Sequence, residues 1–503
     1  MIFYSSFSSS SNIAGPYKVV HTGDEFPIKG DPLVPLEADF KNIKFVPVKG
    51  LPSFTGGAIG YISYDCIQHF EPKTAKSLKD PIHVPESVLM YCDSVVVFDH
   101  LHQVIKVVAH YKTNNHPESQ SQGEEETDAQ IEAKYAQICA TIAAAVDKLN
   151  SEYTPLPEQP EVDLSFQFTS NTGQEGYENM VRNLQKHIVE GDIFQAVPSQ
   201  RLARPTSLHP FNIYRRLRSL NPSPYMFYVS LQDLKLIGAS PETLVKVENR
   251  IVETHPIAGT RPRGATPEDD EKLAQDLLSD EKELAEHIML VDLGRNDVNR
   301  VCIPSSVVVD SLMHIERYSH VMHIVSRVKG ELRPEKTPFD AFRSIFPAGT
   351  VSGAPKIRAI ELIGEQEGEK RGVYAGAVGY FGFSGDQDTC IAIRTIVYKD
   401  GVAYLQAGAG IVYDSDPTSE YQETMNKLKS NLTAIATAEA YQAALKAREK
   451  QVAAAAMTTP SKGRGKGSST TPASGSSAPS TTTTTTITSS EGRTSRSKRQ
   501  KTN

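Results

Sequence analysis

Residues 225–264 read YMFYVSLQDLKLIGASPETLVKVENRIVETHPIAGTRPRG. Aromatic and β-branched residues crowd 225–231, 234–239 and 243–248, with Asp233 and Asn249-Arg250 as tight turns between strands. None of the gaps is long enough for a crossover helix, so consecutive strands pair antiparallel. The pattern extends outward. Strands are expected at 193–203, 305–312, 321–330, 373–383, 388–398 and 401–409. Ahead of them, 54–64, 87–100 and 103–111 also read as strands. Helical spacing marks 174–190, 267–296, 338–345, 355–364 and 418–442. The result is large antiparallel or mixed sheets with helices on their faces, not a doubly wound nucleotide-binding sheet.

Composition divides the chain. Residues 1–112 form a β-rich N-terminal region. Residues 113–160 combine a polar insertion (TNNHPESQSQGEEET, 113–127), an Ala-rich helix at 128–150 and a linker marked by Pro155, Pro157 and Pro160. Residues 161–445 alternate helix and strand without repeat, and 446–503 are rich in Ser, Thr, Gly and Pro. That tail buries too little apolar surface to offset its ordering entropy and is expected to be disordered. The net charge is −7, but 451–503 hold eight Lys/Arg against Glu491 alone, leaving 45 basic and 59 acidic residues, a net of −14, in 1–450. A body this acidic is no nucleic-acid surface. The closing Lys498-Arg499-Gln500-Lys501 reads as a solvated basic tail. Cysteines 66, 92, 139, 302 and 390 are odd in number and form no CxxC, which favours a reducing compartment, the cytoplasm. No run of about 18 apolar residues offers a membrane span.

Several chemistries are excluded by their missing motifs. There is no GxxxxGK[ST], no GxGxxG after a strand, no HExxH and no GxSxG. No Cys sits in a Gly-Cys-x-Gly turn, so the chain carries no glutaminase nucleophile of its own. The informative residues are carboxylates. Glu283 and Glu286 lie three apart on one helix, and Glu420 and Glu423 repeat the spacing at the start of another. Taken singly, such pairs are ordinary solvated surface. Brought together, two helices of this kind suit a hard cation, and Mg²⁺ takes oxygen ligands while keeping room for a substrate carboxylate. Turns rich in Gly accompany them: Ile257-Ala258-Gly259-Thr260 and Gly408-Ala409-Gly410 expose backbone N–H groups that can receive an anion. Arg394, between isoleucines on an expected central strand, reads as an inward guanidinium.

With these segments in view, the chain resembles component I of anthranilate synthase, within the chorismate-utilising enzymes. The resemblance spans roughly residues 14–445. It rests on GGAIGYISYD, EGDIFQAVPSQR, NPSPYMFY, GASPETLVKV, ETHPIAGTRPRG, SDEKELAEHIMLVDLGRNDVNRV, YSHVMHIVSRVKG, FPAGTVSGAPKIRAIELI, RGVYAGAVGYFGF and QAGAGIVYDSDPTSEYQETMNK. It implies an α/β sandwich of two large antiparallel sheets with outer helices and a cleft between them. It implies Glu286 and Glu423 as Mg²⁺ ligands, backed by Glu283 and Glu420. Gly259 and Thr260 would help hold the ring carboxylate of chorismate. Arg394, Tyr374 and the Gly408–Gly410 turn, including Ala409, would hold the enolpyruvyl carboxylate. Glu242 would be the acid that protonates the departing 4-hydroxyl, His323 would serve the elimination of pyruvate, and Thr350 would lie near the ring.

Two positions select among the relatives. Isochorismate and salicylate synthases resemble this chain but carry Lys where Gln195 stands, as a base for water. Aminodeoxychorismate synthase, the nearest alternative, carries Lys where Ala258 stands, to attack C2 itself. Gln195 and Ala258 together imply that ammonia is the nucleophile, supplied by component II, a glutamine amidotransferase. The family's Leu-Leu-Glu-Ser motif, part of an L-tryptophan inhibitor site, has no counterpart in MIFYSSFSSSSN at the start, whereas the other half remains at Pro224-Tyr225-Met226. Weak tryptophan inhibition is therefore expected. A truncated, non-catalytic regulatory homologue is the alternative.

Overall fold

The computed structural model describes residues 30–113, 126–151, 156–231 and 233–458. The start of the chain, most of the 113–127 insertion and the tail beyond 458 lie outside the described residues. The chain divides into two units, Met1–Arg448 and Glu449–Asn503, and the site lies in the first.

Two large antiparallel sheets form the core. One has nine strands and the other six. The nine-stranded sheet takes Gly57–Ile62 and Ser87–Cys92 from the N-terminal region and pairs them onto Ala377–Gly382. Strands of the N-terminal region therefore share a sheet with strands of the 161–445 region. One apolar cluster draws Tyr61, Val378 and Cys390 from the larger sheet and Leu234, Leu236 and Val397 from the smaller. The sheets thus pack face to face. Helices cover the outer faces: Val291, Phe342 and Ile360 pack beneath the larger sheet, and Ile213, Leu217, Leu428 and Ile435 beneath the smaller. This is the expected sandwich with outer helices.

Three expected elements are broken, each at a residue that matters. The 267–296 helix is two helices, Pro267–Ser279 and Glu281–Asn299. Asp280 leaves the helical region at ψ 106° and its carboxylate caps the N–H groups of Lys282 and Glu283. The 87–100 strand divides into Ser87–Cys92 and Ser94–Asp99, which belong to different sheets. The 388–398 strand ends at Ile391, and a new strand, Thr395–Lys399, begins in the other sheet. In contrast, the 418–442 helix runs further than expected, over Pro417–Thr458. Its Ala-rich stretch after 442, expected as disordered tail from 446, has high intrinsic helix propensity. Among the described residues no helix is long and apolar enough to cross a membrane.

Candidate active site

The chain passes from one sheet to the other twice at the same place. Leu234–Ser240 pairs with Thr395–Lys399 in the six-stranded sheet, while Thr243–Glu248 pairs with Gln387–Ile391 in the nine-stranded one. The two crossings, 240–243 and 391–395, run side by side. Ser240 Oγ donates to the Ile391 carbonyl at 2.7 Å, and the Ile391 N–H donates to the Glu242 carbonyl at 3.0 Å. Glu242 and Arg394 sit on these crossings, where the sheets part. Arg394 is therefore not mid-strand as expected. It stands at φ +52°, and among the described residues its guanidinium makes no ion pair or hydrogen bond.

Glu242 is buried. Thr350, in the single turn Gly349–Val351, donates its hydroxyl to Glu242 Oε1 at 2.9 Å. Burial raises the carboxyl to about 8, with the Thr350 hydroxyl and the Arg394 charge pulling the other way. Desolvation wins, so the group holds its proton at neutral pH.

The two carboxylate helices meet opposite. Gln195 lies on a ribbon in which Gln195–Ala196 pairs with Gly353–Ala354. Its amide donates to Glu286 Oε1 at 2.8 Å, and its own carbonyl oxygen is buried with no hydrogen-bond partner. Gly410 makes this approach feasible, because a Cβ there would lie 2.5 Å from the Gln195 amide nitrogen and 3.3 Å from Glu286 Oε1. Gly259, at φ +66°, presses against the other carboxylate, with its would-be Cβ 3.2 Å from Glu283 Oε2. Glu286 is raised by burial and by the charge of Glu423, Glu283 by burial and by Glu286, and Glu420 by burial and by Glu423. Ser415 donates to Glu420 Oε1 at 2.7 Å. Four carboxylates gathered where the two helices meet are a donor set of oxygens with excess negative charge, which fits a hard cation. They are not drawn together in advance. Among the described residues, the one His/Cys/Asp/Glu group whose ligand atoms lie within 4.8 Å of one another is His187, Glu190 and Asp192, outside this cluster.

The remaining expected residues close the cleft. His323 Nδ1 lies 2.8 Å from the Gly259 carbonyl and 3.1 Å from Thr260 Oγ1. A carbonyl can only accept, so Nδ1 carries the hydrogen and Nε2 keeps a lone pair. Burial lowers this histidine and keeps it neutral. Burial raises the Tyr374 hydroxyl to about 12. The Ala409 N–H is already taken by the Tyr177 hydroxyl at 3.2 Å, which leaves the Gly410 amide without a partner among the described residues.

The sequence reading passed over Lys427. Its ammonium lies 2.6 Å from Glu423 Oε1 and donates to the Gly408 carbonyl at 2.9 Å. The spacing Glu423–Lys427 was visible, but it looks like any surface i,i+4 pair. Arg261 was passed over too. It binds Asp276, Asp280 and Glu283 at 2.7, 2.8 and 3.3 Å, and so shields one of the four carboxylates.

Comparison with known proteins fits this arrangement. The family model described as chorismate binding enzyme matches residues 3–433. The chain belongs to this family. It is 55% identical over 431 residues to the probable anthranilate synthase component 1 of Schizosaccharomyces pombe, covering 86% of this chain and 85% of that one. It is 55% identical over 430 residues to anthranilate synthase component 1 of Saccharomyces cerevisiae, covering 84% and 82%. The crystal structure of anthranilate synthase component I from Streptococcus pneumoniae superposes with a TM-score of 0.68 at 44% identity, over 79% of this chain and 85% of that one. The resemblance read from the motifs is thus borne out at the level of family and fold. Two further expected positions fall in this family frame. Ala258 is buried on the strand Ile257–Pro262, opposite Ile324. Tyr225, after Pro224 and before Met226, opens an edge strand. Its hydroxyl lies 2.8 Å from Thr243 Oγ1 and donates to Asp388 at 2.9 Å. The N-terminal half of that expected tryptophan site lies outside the described residues.

Proposed function

We propose that this chain converts chorismate and ammonia to anthranilate and pyruvate through aminodeoxyisochorismate, in tryptophan biosynthesis and with component II, a glutamine amidotransferase, as its ammonia source. The observation that carries the reading is the hydrogen bond between the buried Gln195 and the partly buried Glu286. An amide, not an amine base, faces the first carboxylate helix, and its free oxygen can accept an N–H of ammonia. Glu242, protonated at neutral pH, gives its proton to the 4-hydroxyl as that C–O bond breaks and nitrogen bonds to C2. His323 then offers the Nε2 lone pair for the C2 proton as the enolpyruvyl oxygen departs, and pyruvate forms. Arg394, whose guanidinium has no partner among the described residues, holds the enolpyruvyl carboxylate with Tyr374 and the Gly410 amide.

Glu286 and Glu423 would hold Mg²⁺, with Glu283 and Glu420 behind them. Bound there, the ion would supply positive charge against the ring carboxylate beside Gly259 and Thr260. L-tryptophan would meet the Tyr225 ring, since its hydroxyl is already engaged. The five cysteines stand free in the structure, which supports the cytoplasm as the compartment. The test is fluorescence-detected anthranilate from chorismate and ammonium salts at alkaline pH, with and without chelator. Product that disappears on chelation is expected, and no product overturns the reading.

A further inference from the structure

The ribbon that carries Gln195 has two paired residues on each side. A ribbon this short does not hold its own position. Yet it sets both ends of the chemistry: Gln195 reaches Glu286 from one strand, and Thr350, just before the other strand, reaches Glu242. Ala196 and Ile411 exchange backbone hydrogen bonds at 3.3 and 2.8 Å, and Arg371 ties the two flanks of the ribbon to each other. Its side chain is 1% exposed. Nη1 donates to the Val351 carbonyl at 2.8 Å, next to Thr350, and Nη2 donates to the Val197 carbonyl at 2.6 Å, two residues past Gln195. The other edge of the fork is held by Glu367, with Nε at 2.9 Å from Oε2 and Nη2 at 2.7 Å from Oε1. Glu367 Oε1 also accepts the Ser199 N–H at 2.7 Å and hydroxyl at 2.8 Å, so the carboxylate is itself pinned. The face of the guanidinium lies 4.4 Å from the Tyr64 ring centre and 5.5 Å from that of Tyr374.

Packing alone does not require a charge here, because a buried ion pair is often replaceable by apolar residues of similar volume. A planar fork with five donors, however, can bind two carbonyls and a carboxylate at fixed angles, which a lysine cannot. We infer that Arg371 is a positioning residue for the reaction: by binding the Val197 and Val351 carbonyls it sets where Gln195 meets Glu286 and where Thr350 meets Glu242. This rests on the reaction proposed above. Arg371 touches no substrate; it acts through the ribbon.

The test compares wild type, R371K, T350V and R371K/T350V in the ammonium-dependent assay, with R204K as control. Arg204 is also buried and pairs with Glu439 at 2.6 Å, but it touches none of the site residues. R371K should lose about 100-fold in kcat, the scale of a misplacement near 1 Å, while R204K melts at a similarly lowered temperature and keeps its kcat. In the cycle, T350V should cost far less in the R371K background than in wild type, because the shared contact is already displaced. The alkaline limb of kcat/KM should move to higher pH in both single variants, since each weakens a hydrogen bond that favours the Glu242 carboxylate. Wild-type kcat in R371K, or losses that simply multiply, would overturn the assignment. If R371K does not fold, the neutral pair R371M/E367Q is read the same way. An inactive wild type would instead overturn the reaction itself.

Discussion

Glu242 is held in a state that favours chemistry over stability. Its carboxyl titrates near 8 in the folded chain against an ordinary 4.5, because burial penalises the charge more than Thr350 and Arg394 relieve it. Between those values the folded chain keeps a proton that the unfolded chain has released. Rising pH therefore drains stability through this window, by up to about 1.4 kcal/mol per pH unit. Glu242→Gln stays neutral throughout. Its melting temperature should rise relative to wild type as the buffer moves from about pH 5 to about pH 9, while its turnover falls by about 10²–10⁴-fold for want of an acid. Parallel melting curves of the two proteins across pH would show that the carboxyl is not buried as described. The family resemblance singled out Glu242, but its protonation was not legible. Nothing in Ser240-Pro241-Glu242 reveals that two sheets part there and shut out water.

Elements explain where sequence reading succeeds and where it stops. Strand content at 225–248 was legible because side-chain periodicity is local: Tyr225–Ser230, Leu234–Ser240 and Thr243–Glu248 match it closely. The change of sheet between the second and third was not, because a two-residue hairpin and a two-residue crossing share the same turn chemistry. The break at Arg394 was hidden for the same reason, as isoleucines on both sides look like one strand. The carboxylate helices were legible by spacing, but their meeting depends on the ribbon and the Gly408–Gly410 turn between them. Gly410→Ala tests that meeting. Its Cβ would intrude on the Gln195 amide at 2.5 Å, so activity should drop sharply while the melting temperature moves little, a contrast that thermal melts beside initial rates would show. Glu423→Gln tests the second helix. Glu423 is half-exposed and paired with Lys427, and an exposed pair contributes little to stability. Melting should hardly change, whereas half-saturation by Mg²⁺ should rise by at least about 10–100-fold, the loss seen even for outer-sphere partners of a metal. An unchanged Mg²⁺ titration would remove Glu423 from the ligand set.

At the scale of the whole molecule, the cleft makes opposing demands on pH. As the proposed acid, Glu242 must hold its proton, so the free enzyme should lose kcat/KM as pH rises through about 8. Ammonium must lose one to become the nucleophile, so with ammonium salts the rate should climb as pH rises toward the same region. The ammonium-dependent profile is therefore a narrow bell. Under the proposed reaction, a partner that hydrolyses glutamine would deliver neutral ammonia to the Gln195 oxygen, where the bulk ammonium equilibrium no longer matters. Adding component II and glutamine should erase the acid limb down to the titration of the cleft's own carboxylates and leave the alkaline limb where it was, because that limb belongs to Glu242 and not to the nitrogen source. Two profiles measured on one preparation decide it. If the acid limb stays with glutamine, ammonia escapes to solvent before it reacts. If the alkaline limbs of the two profiles differ, Glu242 is not the group that sets them.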